Sequence, residues 1–274
     1  MQPSLPQSIQ TFEIHQNYLK INNQTYQSAT TTEGIDENTH FIINIGSYGS
    51  TELITLHQTV EEALARKKGP IKVNFLELSM THGSIRLPKS LAKKLQVGNI
   101  GPVKPDVLTA FAPIIDPSYP LVTLELSNVT PNDPVFQLEI TKKSKGLEFD
   151  VEGEGGKWFE TIMDLENTIT QINNDVPILN LKEIMELIGK WSKSDRKLGN
   201  KLSMTTTNKI LRVASNLMIA TLGAVSGTIP IGMLTVVDCT AIRMSRSLGL
   251  SVFGQSDDQS PNSKAVMFMG IIEM

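Results

Sequence analysis

The chain has one cysteine, Cys239, among its 274 residues. A lone thiol excludes an internal disulfide and a cysteine-based zinc cluster within one chain, and it favours a reducing compartment. Histidine is also scarce. His15, His40, His57 and His82 are scattered through the first third of the chain, with no H-E-x-x-H arrangement and no second histidine at i+4 to support a metal site. Aromatic residues make up 5% and do not interleave with the basic ones, which argues against stacking on single-stranded bases. No G-x-S-x-G elbow, Walker loop or strand-to-helix G-x-G-x-x-G occurs. The nearest stretch, Gly153-Glu154-Gly155-Gly156-Lys157, puts a glutamate where a phosphate would need uncharged amides, and reads as an acidic hinge.

Two further absences bear on location. The opening residues Met1 to Gln7 lack the positive n-region and apolar h-region of a signal peptide. Gln2 stands where N-myristoylation needs glycine. A soluble, cytoplasmic, non-enzymatic protein without a cofactor is therefore expected. Net charge is −3, so the whole molecule is not a strongly basic ligand for polyanions.

What is present is globular composition, 40% hydrophobic and 19% charged, in a chain long enough for one large domain or two modest ones. Phe12 and Ile14, Leu19 and Ile21, the run His40 to Gly46, and Ile71, Val73 and Phe75 read as strands. Thr59 with Glu62 fits a capping box on a short helix. Seven of the fourteen prolines fall between Pro102 and Pro134. They bracket three apolar runs, Val107–Phe111, Leu121–Leu126 and Val135–Ile140, read as short strands of an antiparallel sandwich or barrel. Beyond the acidic hinge, Trp158, Ile162, Leu165, Ile169 and Ile172 recur at helical spacing, and Asn180 with Glu183 offers a capping box to a second helix carrying Leu181, Ile184, Leu187, Ile188 and Trp191. The fold class expected is α+β, a β-rich N-terminal half followed by an all-helical C-terminal half. Its domains would be a β-rich 1–155 with one or two short helices, and a helical 156–274.

The helical half carries the feature with most functional content. From Lys190 to Arg212 seven cations, Lys190, Lys193, Arg196, Lys197, Lys201, Lys209 and Arg212, face Asp195 alone, a local balance of +7 − 1 = +6. From Val213 to Val237 there is no charge at all. That neutral stretch has the length of a membrane span, but Pro230 and its serines and threonines favour a buried hairpin within 213–250, with helices over Asn208–Ala224 and Ile231–Leu248.

Solitary carboxylates and the thiol add little. Asp116 precedes Pro-Ser-Tyr-Pro and reads as turn chemistry. Cys239 lies in an apolar neighbourhood that raises a thiol pKa.

The seven cations form the candidate surface for an anionic partner, lipid headgroups or nucleic acid. This reading makes the chain a self-associating structural or assembly protein, peripheral at a membrane or bound to nucleic acid. In layout alone it is similar to viral matrix and movement proteins, which join small β-domains to basic surfaces. The alternatives are a cytosolic adaptor or regulatory binding protein that touches neither, and an enzyme whose site gathers Asp116, His82 or His57 from distant positions.

Overall fold

A computed structural model of the chain describes residues 8–15, 18–21, 24–28, 42–47, 50–55, 69–79, 92, 95–152, 157–231, 234–255 and 260–274. They divide into two compact units, one of residues 1–127 with 133–145, the other of 128–132 with 146–274. The helix expected at Thr59 and the hinge at Gly153 lie outside the described residues, as do His40, His57 and His82.

The first unit contains β1 (Ser8–His15), β2 (Tyr18–Ile21), β3 (Gln24–Ser28), β4 (Ile42–Ser47), β5 (Ser50–Thr55), β6 (Ile71–Ser79), β7 (Leu95–Val103), α1 (Pro105–Phe111), β8 (Thr123–Val129, crossing into the second unit at its end) and α2 (Glu139–Lys143). Its sheet runs β8-β7-β6-β1-β2-β3-β4-β5. The expected antiparallel sandwich is corrected here. β1, β6, β7 and β8 are mutually parallel, and only β1 to β5 form an antiparallel meander. The run Val107–Phe111 is α1, with Pro105 in its first turn and Val107, Leu108 and Phe111 buried. Proline at the start of a helix removes a donor that would go unmet anyway. α1 and a 3-10 turn at Ala112–Ile114 supply the crossover that parallel strands require. The run Val135–Ile140 is likewise not a strand. It divides between a 3-10 turn at Pro134–Gln137, where Asp133 accepts from the Val135 amide at 2.9 Å, and α2. A short apolar run fits a strand or a helical turn equally well.

The second unit holds β9 (Gly146–Val151), α3 (Trp158–Asp164), β10 (Ile169–Asn173), α4 (Leu181–Ser192), β11 (Lys201–Thr207), α5 (Asn208–Leu222), β12 (Val225–Ile231), β13 (Leu234–Arg243), β14 (Leu248–Gln255) and β15 (Lys264–Glu273). Its sheet order is β12-β13-β14-β15-β11-β10-β9, with β9, β10 and β11 parallel and the rest antiparallel. An all-helical C-terminal half is thus overturned. α3 stops at Asp164, and Ile169 and Ile172 belong to β10, where Ile169, Thr170 and Ile172 favour the extended backbone. The helix expected over Ile231–Leu248 is instead strand β13, rich in Thr, Val and Ile. Pro230 lies on β12, at the end of this unit's strand order, where a missing amide proton is tolerated.

α4 has the expected capping box. The Asn180 side chain accepts from the Glu183 amide at 3.1 Å, and Glu183 accepts from the Asn180 amide at 2.9 Å. Its stripe of Ile184, Leu187, Ile188 and Trp191 is buried. Asn180→Ala should cost about 1 kcal/mol in urea unfolding; an unchanged midpoint would deny the cap its role.

Register lines up one continuous buried row across this sheet. Leu147, Thr170, Leu202, Met269, Val252 and Thr240 are successive partners across six strands, and all are buried. Phe149 on that face stacks against Trp158 of α3, and Thr240 bonds Ser215 of α5. The neighbouring row, Glu148, Gln171, Ser203, Phe268 and Phe253, points the other way, and none of its members is buried.

Candidate functional site

α5 starts where Thr207 caps it by accepting from the Ile210 amide at 3.3 Å. It stops at Gly223, whose φ of +65° is the left-handed conformation that ends helices. Of its residues only Ala214 and Met218 are fully buried. Ser215 reaches Thr240, and Leu211 lies so close to β14 that a Cβ on Gly254 would sit 2.1 Å from its Cδ1. Gly254 is the residue that lets the helix lie down on the sheet.

The outer side has an unusual composition. Lys209, Arg212, Val213, Asn216, Ile219, Ala220 and Gly223 are exposed, at the three- and four-residue spacing of one helical stripe. The stripe begins with two cations and continues without charge. Val213 is 37% exposed and Ile219 43%, and Val225 at the start of β12 is 59% exposed. Val213 and Ile219 thus face solvent while Leu211, Ala214, Ser215 and Met218 lie toward the sheet. Exposed aliphatic side chains gathered along one side of a helix in this way can mark an interaction site.

The seven cations singled out by sequence do not form one face. Lys190 ends α4, Lys193 and Lys197 follow in the loop, and Lys201 opens β11; all four are exposed. Lys209 and Arg212 stand beyond the other end of β11, about 20 Å away at roughly 3.3 Å per residue. Arg196 is a structural tie. Its guanidinium lies 4.1 Å over the Trp191 ring and donates to the Leu165 carbonyl at 2.7 Å. Burial lowers its pKa, partly opposed by the carboxylate of Glu166.

What the sequence reading missed is the outward apolar stripe, although its signal was present. Projecting the solvent-facing Lys209 and Arg212 forward by the helical period lands on Val213, Asn216, Ile219 and Ala220.

Asp116, the carboxylate singled out earlier, holds a turn: it accepts from the Ser118 backbone amide at 3.0 Å, the Ser118 hydroxyl at 2.6 Å and the Gln96 side-chain Nε2 at 3.3 Å. Among the described residues no group of three or more His, Cys, Asp or Glu could hold a metal ion. Cys239 is fully buried, and burial raises its thiol to about 11, against a smaller opposing effect of the Val252 backbone. Raising a thiol from 9.0 to about 11 cuts its thiolate fraction about 100-fold near neutral pH. Native protein at pH 8 should therefore react with a chromogenic disulfide about 100-fold more slowly than denatured protein, and equal rates would contradict the burial.

Fold and surface together define a β-rich protein with a mixed sheet and one helix whose exposed side is basic and then apolar. The chain belongs to the family of the domain of unknown function DUF3557, whose profile matches residues 54–208, more than half of its length. The match ends at the first residue of α5, so nearly all of that helix and β12 to β15 lie beyond it. No curated protein and no solved structure matches the chain.

Proposed function

We propose that this protein docks peripherally on membranes containing acidic lipid, through the outer stripe of α5 and the adjoining start of β12. The observation that carries this reading is the order along the stripe: Lys209 and Arg212, then Val213, Ile219 and Val225, all exposed and uninterrupted by an acid. From Arg196 to Gln255 there are seven cations and one acid, Asp238. No helix among the described residues is long and apolar enough to cross a membrane. The 15 residues of α5 span about 22 Å, short of a hydrocarbon core of about 30 Å, and suit a helix lying in the interface.

Magnitudes explain why both halves of the stripe are needed. Two cations near an acidic leaflet contribute about 2 kcal/mol. Completing the burial of three half-exposed aliphatic side chains adds about 3 kcal/mol. A total of about 5 kcal/mol is reversible adhesion, comparable to a single acyl chain. Either half alone would not hold the protein. The apolar half also selects lipid over nucleic acid, because a phosphate backbone offers Val213 and Ile219 nothing to enter.

Flotation with vesicles tests this. The protein should rise with vesicles of mixed phosphatidylserine and phosphatidylcholine at low salt, rise less at high salt, and stay down with phosphatidylcholine alone. Failure to rise with the acidic vesicles would overturn the reading.

A further inference from the structure

A cleft of 540 Å³ opens at the carboxyl ends of the parallel strands β9, β10 and β11, and every residue that lines it is among the described ones. Ligands of open parallel sheets favour this position, and the volume is within the roughly 300–1,000 Å³ of small-molecule sites. Its floor follows the register. Gln171, Ser203 and Phe268 are successive partners on β10, β11 and β15, so about 10 Å, two strand spacings, separates the amide from the ring. Asp150 and Asn173, partners on β9 and β10, stand beside them. These groups are held in place. Glu148 accepts from the side-chain amides of Gln171 at 3.2 Å and Asn173 at 2.8 Å, and Gln171 also donates to Asn173 at 3.1 Å. Those bonds use both N–H groups of Gln171 and one of the two on Asn173, so an acceptor on the first and a donor on the second remain for a ligand. The loop after β10 is tied to β11, where the Asn174 side chain accepts from the Thr205 amide at 3.2 Å and its carbonyl from the Thr205 hydroxyl at 2.8 Å. Phe268 is steadied by stacking on Phe253, ring centroids 4.9 Å apart.

The balance of charge points to a ligand without any. Glu148 is engaged by two amides, and Asp175 pairs at the rim with the ammonium of Lys264 at 3.2 Å. That leaves Asp150 and, two residues before Ser203 on the same strand, Lys201, one charge of each sign. We infer that this cleft binds a neutral carbohydrate through a single hexose unit. The C–H face of the sugar ring lies on Phe268, as apolar edges do on an aromatic face. Its hydroxyls, each both donor and acceptor, meet Asp150, Gln171, Asn173 and Ser203. A hydroxyl is the group that can use a carboxylate, an amide acceptor and an amide donor side by side, whereas an aliphatic ligand would leave all three unmet. The inference does not depend on membrane docking.

The test is a titration of isotopically labelled full-length protein with the methyl glycosides of glucose, galactose, mannose and N-acetylglucosamine, each taken to millimolar concentration. At least one of them should shift the side-chain amide resonances of Gln171 and Asn173. Phe268→Leu, which keeps an apolar side chain but removes the ring face, should weaken that sugar about fivefold. Gln171→Ala, at an exposed position, should weaken it to a similar degree. The spectrum of each variant away from the cleft, together with unchanged vesicle flotation, shows that the fold is kept. No shift at the two amides with any of the glycosides would overturn the inference, and so would undiminished binding by both variants.

Discussion

Val213→Glu combined with Ile219→Glu should abolish flotation with acidic vesicles while leaving the fold intact. Both side chains are exposed, so neither substitution opens a cavity or buries a charge. The double variant loses about 2 kcal/mol of apolar transfer and adds two anions facing an anionic surface, worth about 2 kcal/mol more in repulsion. Together these reduce the partition coefficient by roughly a thousandfold, at about 1.4 kcal/mol per factor of ten. Lys209→Gln with Arg212→Gln should act more weakly, and chiefly at low salt, because only the screened part of the attraction is removed. Arg196 should be left alone in such experiments. Its replacement would break the stack on Trp191 and the bond to Leu165, and lost binding could then reflect lost structure. Retained flotation by the double glutamate variant, with unchanged circular dichroism, would place the contact elsewhere.

The second large effect concerns stability. Trp158 is fully buried at the start of α3 and stacks on Phe149, ring centroids 5.7 Å apart and 23° from parallel. Trp158→Ala should destabilise the second unit by about 3–5 kcal/mol, since the indole's contacts are lost and the rigid sheet beneath cannot close the void. Trp158→Phe keeps a ring against Phe149 and should cost considerably less. Urea unfolding followed by far-ultraviolet circular dichroism reads both. An alanine variant within about 1 kcal/mol of the parent would mean that the indole does not anchor α3.

Local signals in the sequence were legible where one residue type has one physical use. Asn180 and Glu183 announce a reciprocal cap, and α4 follows with Ile184, Leu187, Ile188 and Trp191 of the expected stripe buried and Leu181 half-buried. Asp116 is the turn residue its Pro-Ser-Tyr-Pro context suggested. What could not be read was long-range partnership. Trp158, Ile162, Leu165, Ile169 and Ile172 fit a helical period, but the chain changes state after Asp164 because β10 gains two parallel neighbours. The neutral run from Val213 to Val237 suggested two buried helices. Only the first forms, because the β-branched residues of β13 find ladders on both sides in β12 and β14. Long-range structure also sets where the cations stand: seven cations close in sequence are separated in space because β11, seven residues long, carries the chain from Lys201 to the start of α5.

β11 ends the parallel run β9-β10-β11, and its other edge carries seven consecutive antiparallel pairs to β15, from Lys201 opposite Gly270 to Thr207 opposite Lys264. The family span closes at Asn208, one residue past this strand. A polypeptide cut there would present an unsatisfied ladder and bare the undersides of Leu202 and Met204 to water. The last 66 residues therefore supply, in β15, the ladder that the matched stretch leaves open at β11.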